Sequence, residues 1–96
     1  MIVDLNGVLL DATDARIDPA DRGLTLGDGL FETIKITKGQ ARRFEAHMMR
    51  LRAGAKALAI PIPKTDIAIA SCIEKLLVAN GMQDAVVRLT ISRGPA

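Results

Sequence analysis

Two side chains in the middle of the chain have the chemistry and the spacing to bind an anion. His47 and Arg50 lie three residues apart, which places them one turn apart on the same side of an α-helix. The planar guanidinium of Arg50 can hold a phosphate through two parallel hydrogen bonds. The spacing alone leaves open whether Arg50 is a phosphate ligand or a solvated surface arginine.

Three more residues are candidates for chemistry or for shaping a pocket. Phe31 is one of two phenylalanines in a chain that contains neither tyrosine nor tryptophan, so it is either a core residue or a pocket wall. Arg88 interrupts an apolar strand pattern and faces either solvent or an anion-binding cleft. Cys72 lies on the apolar stripe of a predicted helix, where an inert thiol is expected. Glu32 alternates to the strand face opposite Phe31, and the sequence assigns it no role.

Composition disfavours several classes of partner. The net charge of +2 is too small to indicate nucleic acid or an anionic membrane as a partner. A single histidine offers little for a histidine-based metal site, so we predict no metal. No apolar run is long enough to span a membrane, and no secretory leader is recognisable. One cysteine excludes an internal disulfide and fits a reducing compartment, so we expect a cytoplasmic protein.

The elements that must position these residues form an α+β pattern. Residues 21–32 contain three glycines and lead into a strand over 30–37, with Ile34 and Ile36 on one face. An apolar stripe at steps of four and three predicts a helix over 44–59, and Thr65 is the expected N-cap of a second helix. Further strands are predicted over 1–5, 8–10, 41–43 and 85–92, and residues 11–22 are predicted to be mainly loop. We therefore expect a largely antiparallel sheet with two helices on one face.

Several motifs occur together in one order. They are Leu5-Asn6-Gly7, D-R-G-L-x-L-G-D-G-L-F-E-T from Asp21, E-x-H-x-x-R-L from Glu45, and the segments 59–63 and 87–94. In this order they resemble the class IV aminotransferases, which are fold-type IV pyridoxal-phosphate enzymes. The resemblance spans almost the whole chain and implies that residues 1–96 form the small N-terminal domain of a two-domain enzyme.

The resemblance implies roles for the candidate residues. Pyridoxal 5'-phosphate is the implied cofactor, and Arg50 occupies the position of the arginine that holds its phosphate. Phe31 and Arg88 are implied to bind substrate, as a pocket wall and as a carboxylate ligand. His47 is expected beside Arg50, in a substrate-binding or supporting role.

The resemblance also implies that the catalytic lysine lies outside the chain. The family's Schiff-base lysine comes much later in sequence, at a position beyond Ala96. No catalytic residue is therefore nominated, and the chain by itself is expected to be inactive. The lysines that match no such motif are Lys35, Lys38, Lys56, Lys64 and Lys75.

Within the family, residues 29–33 and 93–95 most resemble 4-amino-4-deoxychorismate lyases, which eliminate pyruvate to give 4-aminobenzoate for folate synthesis. The second expectation is an aminotransferase acting on branched-chain or D-amino acids. A non-catalytic binding or assembly module is the alternative from another class. The resemblance implies a small-molecule substrate and a homodimer, and we interpret residues 93–96 as the start of a loop that continues in a longer protein.

Overall fold

The computed structural model describes residues 1–95, and Ala96, the end of the predicted loop over 93–96, lies outside them. The chain opens with a hairpin and continues through a one-turn helix into a strand, two long helices and a last strand. In order, the elements are β1 (Ile2–Leu5), β2 (Val8–Asp11), a 3-10 turn (Ala12–Asp14), α1 (Arg22–Thr25), β3 (Gly29–Thr37), β4 (Gln40–Ala41), α2 (Phe44–Leu58), α3 (Asp66–Asn80) and β5 (Ala85–Ser92).

The strands form two antiparallel sheets. β1 and β2 pair around the turn Asn6-Gly7, where both residues have positive φ, 55° and 88°. β3 lies in the middle of the second sheet, with β4 on one side and β5 on the other. Its pairing with β5 runs from Gly29 opposite Ser92 to Ile36 opposite Ala85. The predicted α+β class and antiparallel arrangement are confirmed.

The core lies between α2, α3 and one face of the β3–β5 pair. Strict alternation along β3 sends Ile34 and Ile36 into this core, where they are 0% and 1% exposed. The other buried members of the cluster are Met48, Leu51, Ile69, Ile73, Leu77 and Val87. No helix within residues 1–95 covers the opposite face of the same strands. We call it the outer sheet face, and it consists of Phe31, Thr33, Lys35, Val86, Arg88 and Thr90.

The ends of the helices follow the expected chemistry in one case and depart from it in another. As predicted, Thr65 caps α3 by accepting from the amide of Ala68 at 3.1 Å, and Gly81 ends the helix with a φ of 63°. α2 ends one residue earlier than predicted, with Ala59 in the left-handed region at φ 54°. Leu58 is the last residue of the apolar stripe that predicts this helix, but it is 43% exposed, because the chain turns at Ala59 and buries Ile60 instead.

One other prediction for local structure was wrong. The returning strand covers only residues 40–41, because Arg43 adopts a φ of 52° and begins α2 instead of continuing β4. Residues 11–22, predicted to be mainly loop, also contain a 3-10 turn and the start of α1, whose first turn is held by Asp21 accepting from Gly23 N at 2.8 Å. Cys72 is partly buried, in agreement with its expected packing role. Within residues 1–95, the structure contains no helix with the length and apolar character needed to cross a membrane.

Gly29 provides a test of how closely β3 and β5 approach. A Cβ at this position would lie 2.5 Å from the backbone oxygen of Ile91, so Gly29→Ala must push the strands apart. We expect a loss of about 3 kcal/mol in the free energy of unfolding, measured by denaturant titration. Gly27→Ala is the control, since no atom lies within 4 Å of its Cβ and only the positive φ opposes it, at about 1 kcal/mol. A loss at Gly29 no larger than the loss at Gly27 would contradict the close approach.

Candidate functional site

The most unusual side chain of the structure is a carboxylate in the core. Glu32 is 5% exposed and lies on the same face of β3 as Ile34 and Ile36. A carboxylate removed from water needs hydrogen-bond donors, preferably charged ones, to remain ionised. α2, which packs against β3, supplies them through His47 and Arg50.

Both oxygens of Glu32 receive hydrogen bonds from α2. Arg50 donates from Nε to Oε1 and to Oε2, each at 3.1 Å, and from Nη2 to Oε1 at 2.9 Å. His47 Nδ1 lies 2.7 Å from Oε1. We call Glu32, His47 and Arg50 the Glu32 cluster. Its members come from two elements, and the three-residue spacing on α2 brings both donors to one carboxylate.

The α2 side chains of the cluster differ in their exposure. The side chain of His47 is 18% exposed, whereas that of Arg50 is 73% exposed. Glu32 therefore holds the Nε edge of the guanidinium against the protein, and the rest of the group faces solvent. Nη1 forms no hydrogen bond to any of residues 1–95, which leaves its two N–H groups available to an anion.

The charges of the cluster support one another. Hydrogen bonding from Arg50 lowers the pKa of Glu32, burial opposes this shift, and the bond from His47 adds to it. The same contact with Glu32 raises the pKa of Arg50. An ionised carboxylate only accepts hydrogen bonds, so the short contact assigns a proton to Nδ1 of His47.

A second group of candidate residues lies on the outer sheet face. The Cζ atom of Arg88 lies 4.2 Å from the centroid of the Phe31 ring, a cation–π contact that orients the guanidinium over an exposed aromatic surface. Phe31 is 54% exposed, so of its two alternatives, core packing does not apply. Lys35 adds a second cation to this face, and a surface of this kind can bind a carboxylate against an apolar wall.

β3 therefore separates the predicted site residues into two groups. His47 and Arg50 lie on the helix side of the strand, together with Glu32, while Phe31 and Arg88 lie on the other side. Sequence reasoning missed Glu32, although a signal was present. The period of two places Glu32 on the core face with Ile34 and Ile36, where a carboxylate requires cationic partners.

Comparison with known proteins gives one consistent family. The model of the family described as amino-transferase class IV matches residues 29–96. A putative branched-chain-amino-acid aminotransferase of Methanocaldococcus jannaschii is 37% identical over 94 residues, and a D-alanine aminotransferase of Listeria monocytogenes is 32% identical over 94 residues. The crystal structure of 4-amino-4-deoxychorismate lyase from Pseudomonas aeruginosa is 38% identical, with a TM-score of 0.72.

The matches extend over most of this chain and over a minor part of the relatives. They cover 98% of the chain for both aminotransferases and 85% for the lyase structure. The corresponding shares of those proteins are 33%, 32% and 29%. The chain thus spans about a third of the length of the proteins it matches.

The lowered pKa of Glu32 predicts a specific acid sensitivity. The folded-state pKa lies below the unfolded value of about 4.3, so ionised Glu32 contributes its full stabilisation above about pH 5. This contribution is lost as the pH falls through the folded-state pKa. We expect the difference in unfolding free energy between the wild type and Glu32→Gln to be largest at pH 7 and to shrink below about pH 4, as measured by denaturant titration.

Glu74→Gln, which alters an exposed glutamate on α3, is the matched control. Its difference from the wild type should stay near zero across the same pH range. A Glu32→Gln difference that is equally large at pH 3 and pH 7 would contradict a stabilising role of the ionised carboxylate.

Proposed function

The chain belongs to the amino-transferase class IV family, and we propose that it is the N-terminal domain of an enzyme that uses pyridoxal 5'-phosphate. The observation that supports this most directly is the anchoring of Arg50 by a buried carboxylate. A phosphate ligand works best when its donors are already fixed, because little entropy is then lost on binding. The resemblance to E-x-H-x-x-R-L assigns the cofactor's phosphate to this same arginine.

The donor set of the Glu32 cluster fits a phosphate group. Glu32 takes the Nε edge of Arg50, whereas Nη1 of this exposed side chain has no hydrogen-bond partner within residues 1–95, and a planar guanidinium is suited to binding two phosphate oxygens. Glu32 also prevents the guanidinium from rotating out of position. His47 also forms a hydrogen bond with Glu32 and so helps to hold the carboxylate that binds Arg50. Its proposed role is therefore to support Arg50.

When bound, pyridoxal phosphate supplies an electron sink that stabilises a carbanion of the substrate. The residues of this chain bind and orient, and none of its lysines is assigned as the nucleophile that such chemistry needs. We therefore propose that the lysine belongs to a further part of the protein and that residues 1–96 alone are inactive. A homodimer remains part of this proposal, on the resemblance to the family alone.

The outer sheet face is the proposed substrate surface. Arg88 would bind a carboxylate, Phe31 would pack against the apolar part of the molecule, and Lys35 offers a second positive charge. Two cations suit a substrate with two carboxylates, as in 4-amino-4-deoxychorismate. This feature and the 38% identity to the lyase of Pseudomonas aeruginosa support a lyase that releases pyruvate and 4-aminobenzoate.

The period of two along β3 allows one strand to serve two different surfaces. Phe31 and Glu32 are neighbours in sequence, yet one is half exposed on the outer sheet face and the other is in the core. In the proposed enzyme, the phosphate ligand is held from one side of the strand and the substrate wall from the other. The position of β3 therefore affects cofactor and substrate together.

An aminotransferase is the second candidate for the activity. It is favoured by the 37% and 32% identities to the branched-chain and D-alanine aminotransferases, which extend over 98% of the chain. Such an enzyme would use the same Glu32 cluster for the phosphate. The difference would lie in the substrate held on the outer sheet face.

Replacing Arg50 tests the phosphate assignment. We expect Arg50→Ala in the full-length protein to weaken cofactor binding about 100-fold, equivalent to about 2.7 kcal/mol, because charge-assisted hydrogen bonds to the phosphate are lost. Dissociation constants from absorbance titration with pyridoxal phosphate measure this change. Lys56→Ala removes an exposed cation from the same helix and should change the constant less than two-fold. Equal affinity of Arg50→Ala and the wild type would refute the assignment.

Product analysis tests the activity. The full-length protein is incubated with 4-amino-4-deoxychorismate alone, and separately with D-alanine or L-leucine and a 2-oxo acid acceptor. The lyase proposal predicts equal amounts of 4-aminobenzoate and pyruvate in the first reaction. Formation of a new 2-oxo acid only in the second set would favour the aminotransferase, and a protein with no absorbance band from bound cofactor would refute both.

A further inference from the structure

One arginine outside both groups of site residues joins three parts of the chain. Arg93 follows the last residue of β5, and its Nε donates to Asp28 Oδ2, with Nη2 3.3 Å from Oδ1. The same guanidinium donates from Nη2 to the backbone oxygen of Leu58 and from Nη1 to that of Ala59 at 3.2 Å. We call Asp28, Leu58, Ala59 and Arg93 the Arg93 junction.

The Arg93 junction places a positive charge at the C-terminal end of α2. The last carbonyl groups of a helix have no intrahelical donor and carry partial negative charge, so a cation there is stabilising. Arg93 satisfies two such oxygens and a carboxylate at once because its N–H groups are spread over a planar fork. A lysine ammonium has its three N–H groups on a single nitrogen, so it lacks the planar fork of separated donors.

Further hydrogen bonds join residues 21–28 to the end of β5 and the residues that follow it. The amide of Arg93 donates to the oxygen of Asp28 at 3.1 Å, and the amide of Arg22 donates to the oxygen of Gly94 at 2.9 Å. Ser92 Oγ donates to Asp21 Oδ2 at 3.1 Å. Residues 21–28 are therefore attached at both ends to residues 92–94.

The junction lies at one end of the β3–β5 pair and at the C-terminal end of α2, and these elements carry both groups of proposed site residues. Asp28 immediately precedes β3, which carries Phe31, and Arg93 immediately follows β5, which carries Arg88. Leu58 ends α2, eight residues or about 12 Å along the helix from Arg50. The guanidinium of Arg93 thus ties the end of the β3–β5 pair to the helix that carries the proposed phosphate ligand.

We propose that Arg93 and Asp28 are positioning residues that hold α2 at a second point, in addition to the Glu32 contact, and so set the separation between α2, which carries Arg50, and the substrate surface of Phe31 and Arg88. This inference rests on the proposed function, since the separation matters only if phosphate and substrate bind to these groups. Neither residue of the pair needs to touch the substrate. Their effect is on geometry, and a misplacement of about 1 Å is enough to slow a reaction about 100-fold.

The kinetic test uses the full-length protein and the substrate found by product analysis. Arg93→Ala is expected to lower kcat/KM at least 10-fold while the dissociation constant of pyridoxal phosphate changes less than two-fold, because the Glu32 cluster stays intact. Asp28→Asn should act in the same direction with a smaller effect, and Arg93→Lys should retain an intermediate value. Loss of cofactor affinity in parallel with kcat/KM would overturn the positioning role.

Arg52 provides a matched control for the loss of an arginine clamp. It donates from Nε to Asp66 Oδ1 and from Nη2 to the backbone oxygen of Lys64, both at 2.7 Å, so it also joins a carboxylate and a carbonyl. Its partners lie in the connection between α2 and α3 and at the start of α3, not at the ends of β3 and β5. Arg52→Ala should therefore leave kcat/KM within two-fold of the wild type, and a loss equal to that of Arg93→Ala would overturn the proposal.

A distance measurement tests the same inference without cofactor or activity. Spin labels at Met49→Cys on α2 and Val86→Cys on the outer sheet face, in a Cys72→Ser background, report the separation of the two elements by pulsed electron resonance. Both labelled side chains are exposed, 74% and 67%. Arg93→Ala and Arg93→Lys should broaden or shift this distribution, and Arg52→Ala should not.

An unchanged distribution in both Arg93 variants would overturn the positioning role, whatever the kinetics show. A wild type that binds no pyridoxal phosphate would refute the proposed function instead. In that case the distance result still shows whether Arg93 sets the separation of α2 and the outer sheet face.

Discussion

The candidate site depends on the hydrogen bonds that the ionised carboxylate of Glu32 accepts from α2. Within residues 1–95, Glu32 is the only charged side chain that is buried. Because it lies between β3 and α2, the alignment of these two elements is fixed by charge pairing as well as by packing. A shift of α2 by one residue would leave the carboxylate without its donors, at a cost of several kcal/mol for an unpaired buried charge. Arg50 is therefore placed by the core, even though most of its side chain is in solvent.

Much of the fold could be predicted from the sequence because the signals were periodic or chemically specific. β5 was predicted over its observed range of 85–92, and β3 and α2 differ from the prediction by one residue at one end each. α1 could not be found by periodicity, since four residues complete only one turn, and its stability depends on Asp21 and on contacts with residues 92–94. The left-handed Arg43 was also not predictable, because that conformation is normally signalled by glycine or asparagine.

The candidate site was predictable to a smaller extent. His47 and Arg50 were expected together because helical spacing is local information, and the structure places them on one carboxylate. Glu32 and Asp28 were not assigned, since their partners lie 15 to 65 residues away in sequence and only the packed fold brings them together. Residue types indicated which side chains could do chemistry, but the pairing of charges was decided by tertiary structure.

The structure explains the glycines of residues 21–32 by close packing against β5, and not by phosphate binding in a glycine-rich loop. A Cβ at Gly23 would lie 2.7 Å from the Cβ of Ser92, and a Cβ at Gly29 would lie 2.5 Å from the oxygen of Ile91. Both positions thus require glycine so that the loop can lie directly on β5. Of the three glycines in residues 21–32, only Gly27 is favoured by its backbone conformation alone, since its φ is 63° and an added Cβ would have no neighbour within 4 Å. Residues 21–32 therefore bring Asp28 within hydrogen-bonding distance of Arg93. The proposed phosphate ligand is Arg50 on α2.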